Sequence, residues 1–233
     1  MSTFALVHGA WHGAWCWERL APELERRGHR TVAVDQPCDD PTATFADYAD
    51  GVVRALEGTG DDVVLVGHSL GGMTIPLVAA RRPVRALVYL CALVPIPGVS
   101  MAEQVRAEPD TFVPGYEAGL APADDSRTRR WADFAVARET MYGDCTEADA
   151  RWAFERLRPQ ESGSYRVACP LDALPSVPSR YVLCAEDRIV APGRSRRAAA
   201  ERLGVEPVEL PGSHSPYLSR PAALADVLVS DAP

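Results

Sequence analysis

A serine in a glycine-flanked turn is the strongest chemical signal in this chain. Residues 67–71 read G-H-S-L-G with Ser69 at the centre, and the apolar run V-V-L-V at residues 63–66 leads directly into them. Such a run is typical of a strand buried on both faces of a parallel sheet. The glycines after it permit a sharp strand-to-helix turn that exposes a serine hydroxyl. The pattern therefore predicts Ser69 as a nucleophile.

A serine hydroxyl is a weak nucleophile at neutral pH and needs a base that takes its proton. Of the five histidines, His214 is the best candidate, because it lies in a glycine-containing loop after the last predicted strand. A parallel sheet brings that loop to the same edge as Ser69. His68 is expected to point away from Ser69 around the sharp turn, and His29 is expected to be solvated. We therefore predict His214 as the base.

Two carboxylates, Glu186 and Asp187, lie just beyond the predicted strand Ser179–Cys184. A carboxylate at this point would fix the tautomer of His214 and stabilise its protonated form. The chain order of serine, acid and histidine also fits the turn motif. Asp187 is preferred because the residues around it complete an E-D-x-x-V pattern, and Glu186 is the alternative. Asp35, after an earlier strand, is expected to be structural.

Acyl transfer also needs two N–H donors that stabilise the negatively charged oxygen of the intermediate. One predicted donor is the backbone N–H of Leu70, which follows the nucleophile. The other is the N–H of Ala10, in the glycine-bearing turn after the first strand. In that turn His8 is expected to order the loop. His12 and Trp11 either border the pocket or serve in packing.

The order of apolar and amphipathic segments predicts an α/β fold with about six mainly parallel strands flanked by helices. The predicted strands are Phe4–Val7, Thr31–Val34, Val63–Val66, Ala86–Leu90, Ser179–Cys184 and Val205–Leu210. The predicted helices are Trp17–Arg27, Thr44–Glu57, Leu70–Arg81, Ser126–Met141, Glu147–Leu157, Arg194–Leu203 and one from about Pro221. Residues 96–178, richer in charge, proline and aromatic side chains, are predicted as an inserted helical cap within a single domain of residues 1–233.

Composition excludes several classes of function. The net charge is −8 and no long basic cluster is present, so nucleic acid is not an expected partner. All 24 basic residues are arginine, which excludes Schiff-base chemistry at a lysine. No apolar run approaches the roughly 18 residues that span a bilayer, and no signal peptide is visible, so we expect a cytoplasmic protein without membrane contact. The six dispersed cysteines are expected to be reduced thiols, with no metal site.

These motifs together resemble the α/β-hydrolase superfamily, and within it the group of small methylesterases and hydroxynitrile lyases. The matching segments read LVHGAWHGAW at residues 6–15, VGHSLGG at 66–72 and GSHSP at 212–216. The resemblance spans essentially the whole chain. It implies the α/β-hydrolase fold, a covalent acyl-enzyme intermediate and no metal or organic cofactor. The absence of lysine fits a bacterial member of the group, and a homodimer is a possible assembly.

Three alternatives to an esterase follow from the same resemblance. Hydroxynitrile lyases of this group carry a threonine two residues after the first strand and a lysine after the catalytic histidine, where this chain has Gly9 and Ser215. A carbon–carbon bond hydrolase and a slow-turnover receptor for a small molecule use the same site residues. This chain lacks the two residues characteristic of the lyases and lacks none of those expected for an esterase, so ester hydrolysis is preferred.

The predicted cap suggests which esters are accepted. It contains eight of the chain's seventeen aromatic residues, namely Phe112, Tyr116, Trp131, Phe134, Tyr142, Trp152, Phe154 and Tyr165. A cap of this size shields only a compact, mostly apolar pocket, and an acidic protein repels anionic substrates. We therefore expect a serine hydrolase that cleaves small neutral carboxylic esters with a methyl or other short alkyl or aryl group.

Overall fold

The computed structural model describes residues 1–123 and 128–230 of the chain. Its strands are β1 (Thr3–Val7), β2 (Arg30–Val34), β3 (Val63–His68), β4 (Ala86–Leu90), β5 (Thr128–Arg129), β6 (Gln160–Glu161), β7 (Ser179–Cys184) and β8 (Val208–Leu210). Six of them form one parallel sheet in the order β2-β1-β3-β4-β7-β8. The predicted six-stranded parallel sheet is confirmed. β5 and β6 form a separate antiparallel pair.

The central strands are buried along their whole length, as their apolar sequences predict. Every residue of β1, β3 and β4 is buried. Because all six strands of the main sheet run parallel, their carboxyl ends meet at one edge, where α/β folds place their ligands. The turns after β1, β3, β7 and β8 carry the candidate site residues to this edge.

Helices cover the sheet and fill the connections. They are α1 (Leu20–Arg26), α2 (Phe45–Ala55), α3 (Ile75–Ala79), α4 (Met101–Ala107), α5 (Phe134–Met141), α6 (Glu147–Phe154), α7 (Pro192–Ala198), α8 (Pro216–Ser219) and α9 (Pro221–Val229). α1 packs against α9, and α2 packs against α3. The start of α2 is fixed by Thr44, whose hydroxyl accepts from the Asp47 N–H while the Asp47 carboxylate accepts from the Thr44 N–H.

Two predicted helices are broken in the structure. The predicted helix Leu70–Arg81 is a 3₁₀ turn at Ser69–Met73 followed by α3. Pro76 lies in the first turn of α3, where a missing N–H costs no hydrogen bond, so the α-helix begins only there. The predicted helix Trp17–Arg27 is likewise a 3₁₀ turn at Ala14–Trp17 and then α1.

Other predicted boundaries were wrong before α5 and before the last strand. Ser126 lies outside the described residues, and α5 begins at Phe134 because the Asp133 carboxylate accepts from the N–H groups of its first turn. The helix predicted near Arg194–Leu203 is present as α7, which continues as one π-helical turn over Ala199–Leu203. The last strand is only β8, three residues long.

The segment between β4 and β7 contains α4, α5, α6, β5 and β6, and its residues Phe112, Tyr116 and Tyr165 line a cavity together with Ser69. Its limits as a cap, residues 96 and 178, stay a prediction. All six cysteines are buried and free. Across the described ranges no helix combines the length and apolar character needed to cross a membrane.

Candidate active site

Ser69 lies in a tight turn between β3 and the following helix. Its φ angle is +52°, a left-handed conformation that is uncommon for a residue with a side chain. A Cβ on Gly67 would lie 2.8 Å from the Gly71 carbonyl oxygen, and one on Gly9 would lie 2.8 Å from the Ser69 Cβ. Glycine is therefore required both inside the turn and in the segment packed against the serine.

The two predicted oxyanion donors border the same cavity as Ser69. Leu70 stands in the first turn of a helix, where backbone N–H groups have no intrahelical acceptor. The Ala10 N–H forms no hydrogen bond with any residue in the ranges 1–123 and 128–230. Both groups therefore remain available for a ligand oxygen, and their role as donors stays a prediction.

His8 orders the turn that carries Ala10. Its Nε2 accepts from the Gln36 N–H at 2.9 Å, so the proton is on Nδ1, which donates to the Gly9 carbonyl at 2.8 Å. In a planar trans peptide the C=O and the next N–H point in opposite directions. Fixing the Gly9 carbonyl therefore also fixes the direction of the Ala10 N–H.

Asp187 and His214 form a buried hydrogen-bonded pair. The His214 Nδ1–H donates to Asp187 Oδ2 at 2.8 Å, and the two side chains are 3% and 2% exposed. The other carboxylate oxygen of Asp187 accepts from the N–H groups of Ile189 at 2.8 Å and Val190 at 3.1 Å. Glu186 accepts instead from the Gly212 N–H. In the structure it is therefore Asp187, and not Glu186, that is hydrogen-bonded to His214.

His68 holds the backbone of the loop that carries His214. The His68 Nε2–H donates to the His214 carbonyl at 2.9 Å, and the ring centroids are 4.6 Å apart. His68 immediately precedes Ser69 in the chain, so this contact brings the His214 loop against the turn of the candidate nucleophile.

Cys91 was not singled out in the sequence, although it directly follows β4 at the same sheet edge. It is buried with φ +47°, and its Sγ lies within 4.8 Å of ligand atoms of Asp187 and His214. A hydrogen bond to Cys184 and burial raise the pKa of the Cys91 thiol. A metal would require the thiolate and would displace the proton that Asp187 and His214 share, so this donor set does not fit a metal site.

His12 belongs to a buried polar network and does not border the cavity. Its Nδ1–H donates to the Ala10 carbonyl at 2.8 Å. Its Nε2 lies 2.9 Å from the Tyr142 hydroxyl and 3.1 Å from the Tyr217 hydroxyl, and its single lone pair accepts from one of them at a time. Trp11, in contrast, lines the cavity. Asp35 is structural, because its carboxylate accepts from the Ala14 N–H at 2.8 Å.

Three buried histidines make the free energy of unfolding sensitive to acid. Burial lowers the pKa of His8 to about 4 and that of His12 to about 3, and it lowers the pKa of His68 well below 6.5. Below pH 6.5 the unfolded chain binds protons that the folded chain excludes. We expect each histidine to reduce stability by up to about 1.4 kcal/mol per pH unit until its folded-state pKa is reached.

Urea denaturation at pH 7, 6 and 5 measures this loss. His29, which was expected to be solvated, is partly buried, and burial lowers its pKa as well. The His8→Asn variant should reduce the slope of stability against pH more than His29→Gln does, because the pKa of His8 is lowered to about 4 while His29 is only partly buried. Constant stability between pH 6.5 and 5 would contradict the neutral state of the buried rings.

A cavity of about 250 Å³ opens at Ser69 and is mostly apolar. It is lined by Ala10, Trp11, Ser69, Leu70, Leu93, Met101, Phe112, Tyr116, Glu117, Leu120, Arg129, Gln160, Ser162, Tyr165 and Ile189. Of the eight aromatic residues in the segment between β4 and β7, three are in this wall. The charged groups of the wall neutralise each other, because Arg129 and Glu117 form an ion pair at 3.1 Å.

A larger cleft of about 660 Å³ lies beside the His214 loop and is lined by residues such as Phe134, Asp144 and Ser213. It does not include Ser69. We therefore take the smaller cavity as the one in which a substrate meets the candidate nucleophile.

Comparison with known proteins places this arrangement in a group of hydrolases. The chain is 30% identical to pyrethroid hydrolase of Sphingobium wenxiniae, over 98% of this chain and 87% of that protein. It is 29% identical to salicylic acid-binding protein 2 of Nicotiana tabacum, over 97% of this chain and 95% of that protein. The crystal structure of polyneuridine aldehyde esterase superposes with a TM-score of 0.83 at 24% identity, covering 98% of both chains, which shows a common fold.

The resemblance noted in the sequence is confirmed by these relatives. The alpha/beta hydrolase family matches residues 4–227, which is nearly the whole chain. With the parallel sheet, the strained serine turn and the acid–histidine pair at one sheet edge, this match shows that the chain belongs to the α/β-hydrolase family.

Proposed function

We propose that this chain hydrolyses small neutral carboxylic esters through an acyl-enzyme formed on Ser69. Full-length relatives that are named esterases and hydrolases identify the chain as a carboxylic ester hydrolase. The observation that carries the proposal is the hydrogen-bonded Asp187–His214 pair at the sheet edge that holds the Ser69 turn.

In the first half of the reaction Ser69 Oγ attacks the ester carbonyl while His214 Nε2 takes its proton. Asp187 holds the opposite ring nitrogen and stabilises the imidazolium that results. The carbonyl oxygen gains negative charge and accepts from the N–H groups of Ala10 and Leu70. His214 then protonates the departing alcohol, which leaves the acyl group on Ser69.

In the second half His214 removes a proton from water, and the resulting hydroxide equivalent attacks the acyl carbonyl. The same two N–H groups stabilise the second tetrahedral intermediate. Its collapse returns the proton to Ser69 and releases the acid. Apart from the ester and one water molecule, these steps use only side chains and N–H groups of this chain.

The cavity supports a compact, uncharged substrate. Its volume of about 250 Å³ lies below the range usual for drug-sized ligands. Trp11, Phe112, Tyr116 and Tyr165 offer ring faces and edges for an aromatic or short alkyl acyl group. The Glu117–Arg129 pair leaves the wall without net charge, and the net charge of −8 disfavours anionic esters.

We expect this preference to appear in a series of p-nitrophenyl esters. The values of kcat/KM for acetate, butyrate and phenylacetate should exceed the value for palmitate by about 100-fold or more, because a long acyl chain does not fit the cavity. Steady-state kinetics below the micelle-forming concentration of each ester measure the ratio. A higher kcat/KM for palmitate would show that the cavity opens into a lipid-binding groove.

Hydroxynitrile cleavage is less well supported. The residue after His214 is Ser215, whose hydroxyl is hydrogen-bonded to Tyr217 at 3.1 Å, so this position brings no positive charge to a departing cyanide. Carbon–carbon bond hydrolysis and slow-turnover binding of a small molecule would use the same residues. Activity assays distinguish both of them from ester hydrolysis. A cytoplasmic location and a homodimer stay predictions.

A further inference from the structure

The turn that carries Ala10 is held by a segment distant in sequence. We call residues 158–161 the strap. The strap's Arg158 N–H donates to the Trp11 carbonyl at 2.7 Å, and its Gln160 Oε1 accepts from the Trp11 N–H at 3.4 Å. Both backbone polar groups of Trp11 are therefore bonded to the strap.

Trp11 has a conformation that requires such support. Its φ angle is +63°, a left-handed value that is an outlier for a bulky side chain. Its indole packs edge-to-face on Trp131 with ring centroids 5.7 Å apart. The peptide between Ala10 and Trp11 is held at both ends, because the His12 Nδ1–H binds its carbonyl and Gln160 binds its N–H.

We propose that Gln160 is a positioning residue for the oxyanion hole. Gln160 holds the Ala10–Trp11 peptide on one side of Ala10, and His8 holds the Gly9–Ala10 peptide on the other, so that together they keep the Ala10 N–H directed toward the carbonyl oxygen that Ser69 activates. This inference rests on the proposed function. Gln160 is suited to the role because it is 2% exposed and its amide nitrogen donates to the Glu161 carbonyl at 2.8 Å, which fixes the side-chain orientation.

The strap is itself anchored at several points. The Arg158 guanidinium donates to Asp39 at 2.8 Å and to the Gln36 carbonyl at 3.2 Å. Gln160 also stands opposite Arg129, a cavity residue, in the β5–β6 pair. The oxyanion hole is thus completed by the segment between β4 and β7 and does not depend on the sheet alone.

A Gln160→Met variant tests the inference, because methionine has a similar length and lacks the amide oxygen and the amide nitrogen of glutamine. For p-nitrophenyl acetate we expect kcat to fall by about 10- to 100-fold with KM within about twofold, since the loss is in transition-state stabilisation. Gln104→Met is the matched control. Gln104 is equally buried, and its amide also binds one N–H and one carbonyl, those of Ile96 and Val94. The Gln104→Met variant should lower Tm by about as much as Gln160→Met does and should keep the wild-type kcat.

Two further readouts separate positioning from a purely structural role. Gln160→Glu keeps an oxygen that accepts from the Trp11 N–H and should recover part of the lost kcat, whereas the shorter Gln160→Asn should not. A trifluoromethyl ketone, which forms a tetrahedral adduct with a serine hydroxyl, should bind Gln160→Met more weakly in proportion to kcat. If Gln160→Met does not fold, the comparison of Gln160→Glu with Gln160→Asn takes its place.

Three results would overturn the inference: an unchanged kcat in Gln160→Met, a raised KM with an unchanged kcat, or an equal loss of kcat in Gln104→Met. If Gln160→Met does not fold, a kcat for Gln160→Glu no higher than that for Gln160→Asn also overturns it. Wild-type protein that hydrolyses none of the esters would instead overturn the proposed function. The two failures are therefore distinguishable in one set of assays.

Discussion

Replacement of Ser69 with alanine should lower kcat/KM for p-nitrophenyl acetate by about 10⁴-fold or more, by analogy with the loss of the nucleophile in serine hydrolases. The side chain lost is a single hydroxyl in a turn that the backbone already defines, so the variant should fold with a Tm close to that of the wild type. Steady-state kinetics and thermal denaturation measure the two quantities.

Ser195→Ala is a suitable control for this experiment. Ser195 is buried in α7, where its hydroxyl is hydrogen-bonded to the Tyr181 hydroxyl at 3.0 Å, and it does not line the cavity. We expect it to lower Tm and to leave kcat/KM near the wild-type value. Full activity in Ser69→Ala would remove Ser69 from the mechanism.

Asp187→Asn is expected to have the second largest effect, a loss of about 10⁴-fold in kcat. The asparagine amide would present an N–H to the His214 Nδ1–H, which favours the tautomer with its proton on Nε2. That tautomer cannot accept the serine proton. The measurement is kcat for p-nitrophenyl acetate at pH 7 to 8.

The neighbouring carboxylate gives a matched control for Asp187→Asn. Glu186 binds the Gly212 N–H through one oxygen, and glutamine keeps an oxygen at that point, so Glu186→Gln should cost less than about tenfold. The reverse ranking of the two variants would assign the orienting role to Glu186.

The elements that carry the chemistry were predictable because short-range sequence determines them. The apolar run into Gly67, the glycine pair around Ser69 and the loop around His214 each fix a local conformation. The rule that parallel strands end at one edge then brings these turns together. The choice of Asp187 over Glu186 rested on pattern alone, and the structure shows the hydrogen bond to His214 that the pattern suggested.

What the sequence did not reveal depends on contacts between distant residues. Gln160 meets Trp11 across 149 positions of the chain, and no motif near either residue indicates that pairing. Cys91 reaches Asp187 and His214 only through the adjacency of β4 and β7. The start of α5 was missed because the capping carboxylate of Asp133 overrides the apparent periodicity before it.

The central claim is that Ser69 is the nucleophile of the proposed ester hydrolysis, and covalent labelling tests it most directly. A fluorophosphonate probe reacts with a serine hydroxyl that a neighbouring base activates. After incubation with the wild-type protein, peptide mass spectrometry should find one label, on Ser69. No label should form in Ser69→Ala, and Asp187→Asn should be labelled more slowly than the wild type. A label on another serine, or no label on a protein that hydrolyses esters, would contradict the account.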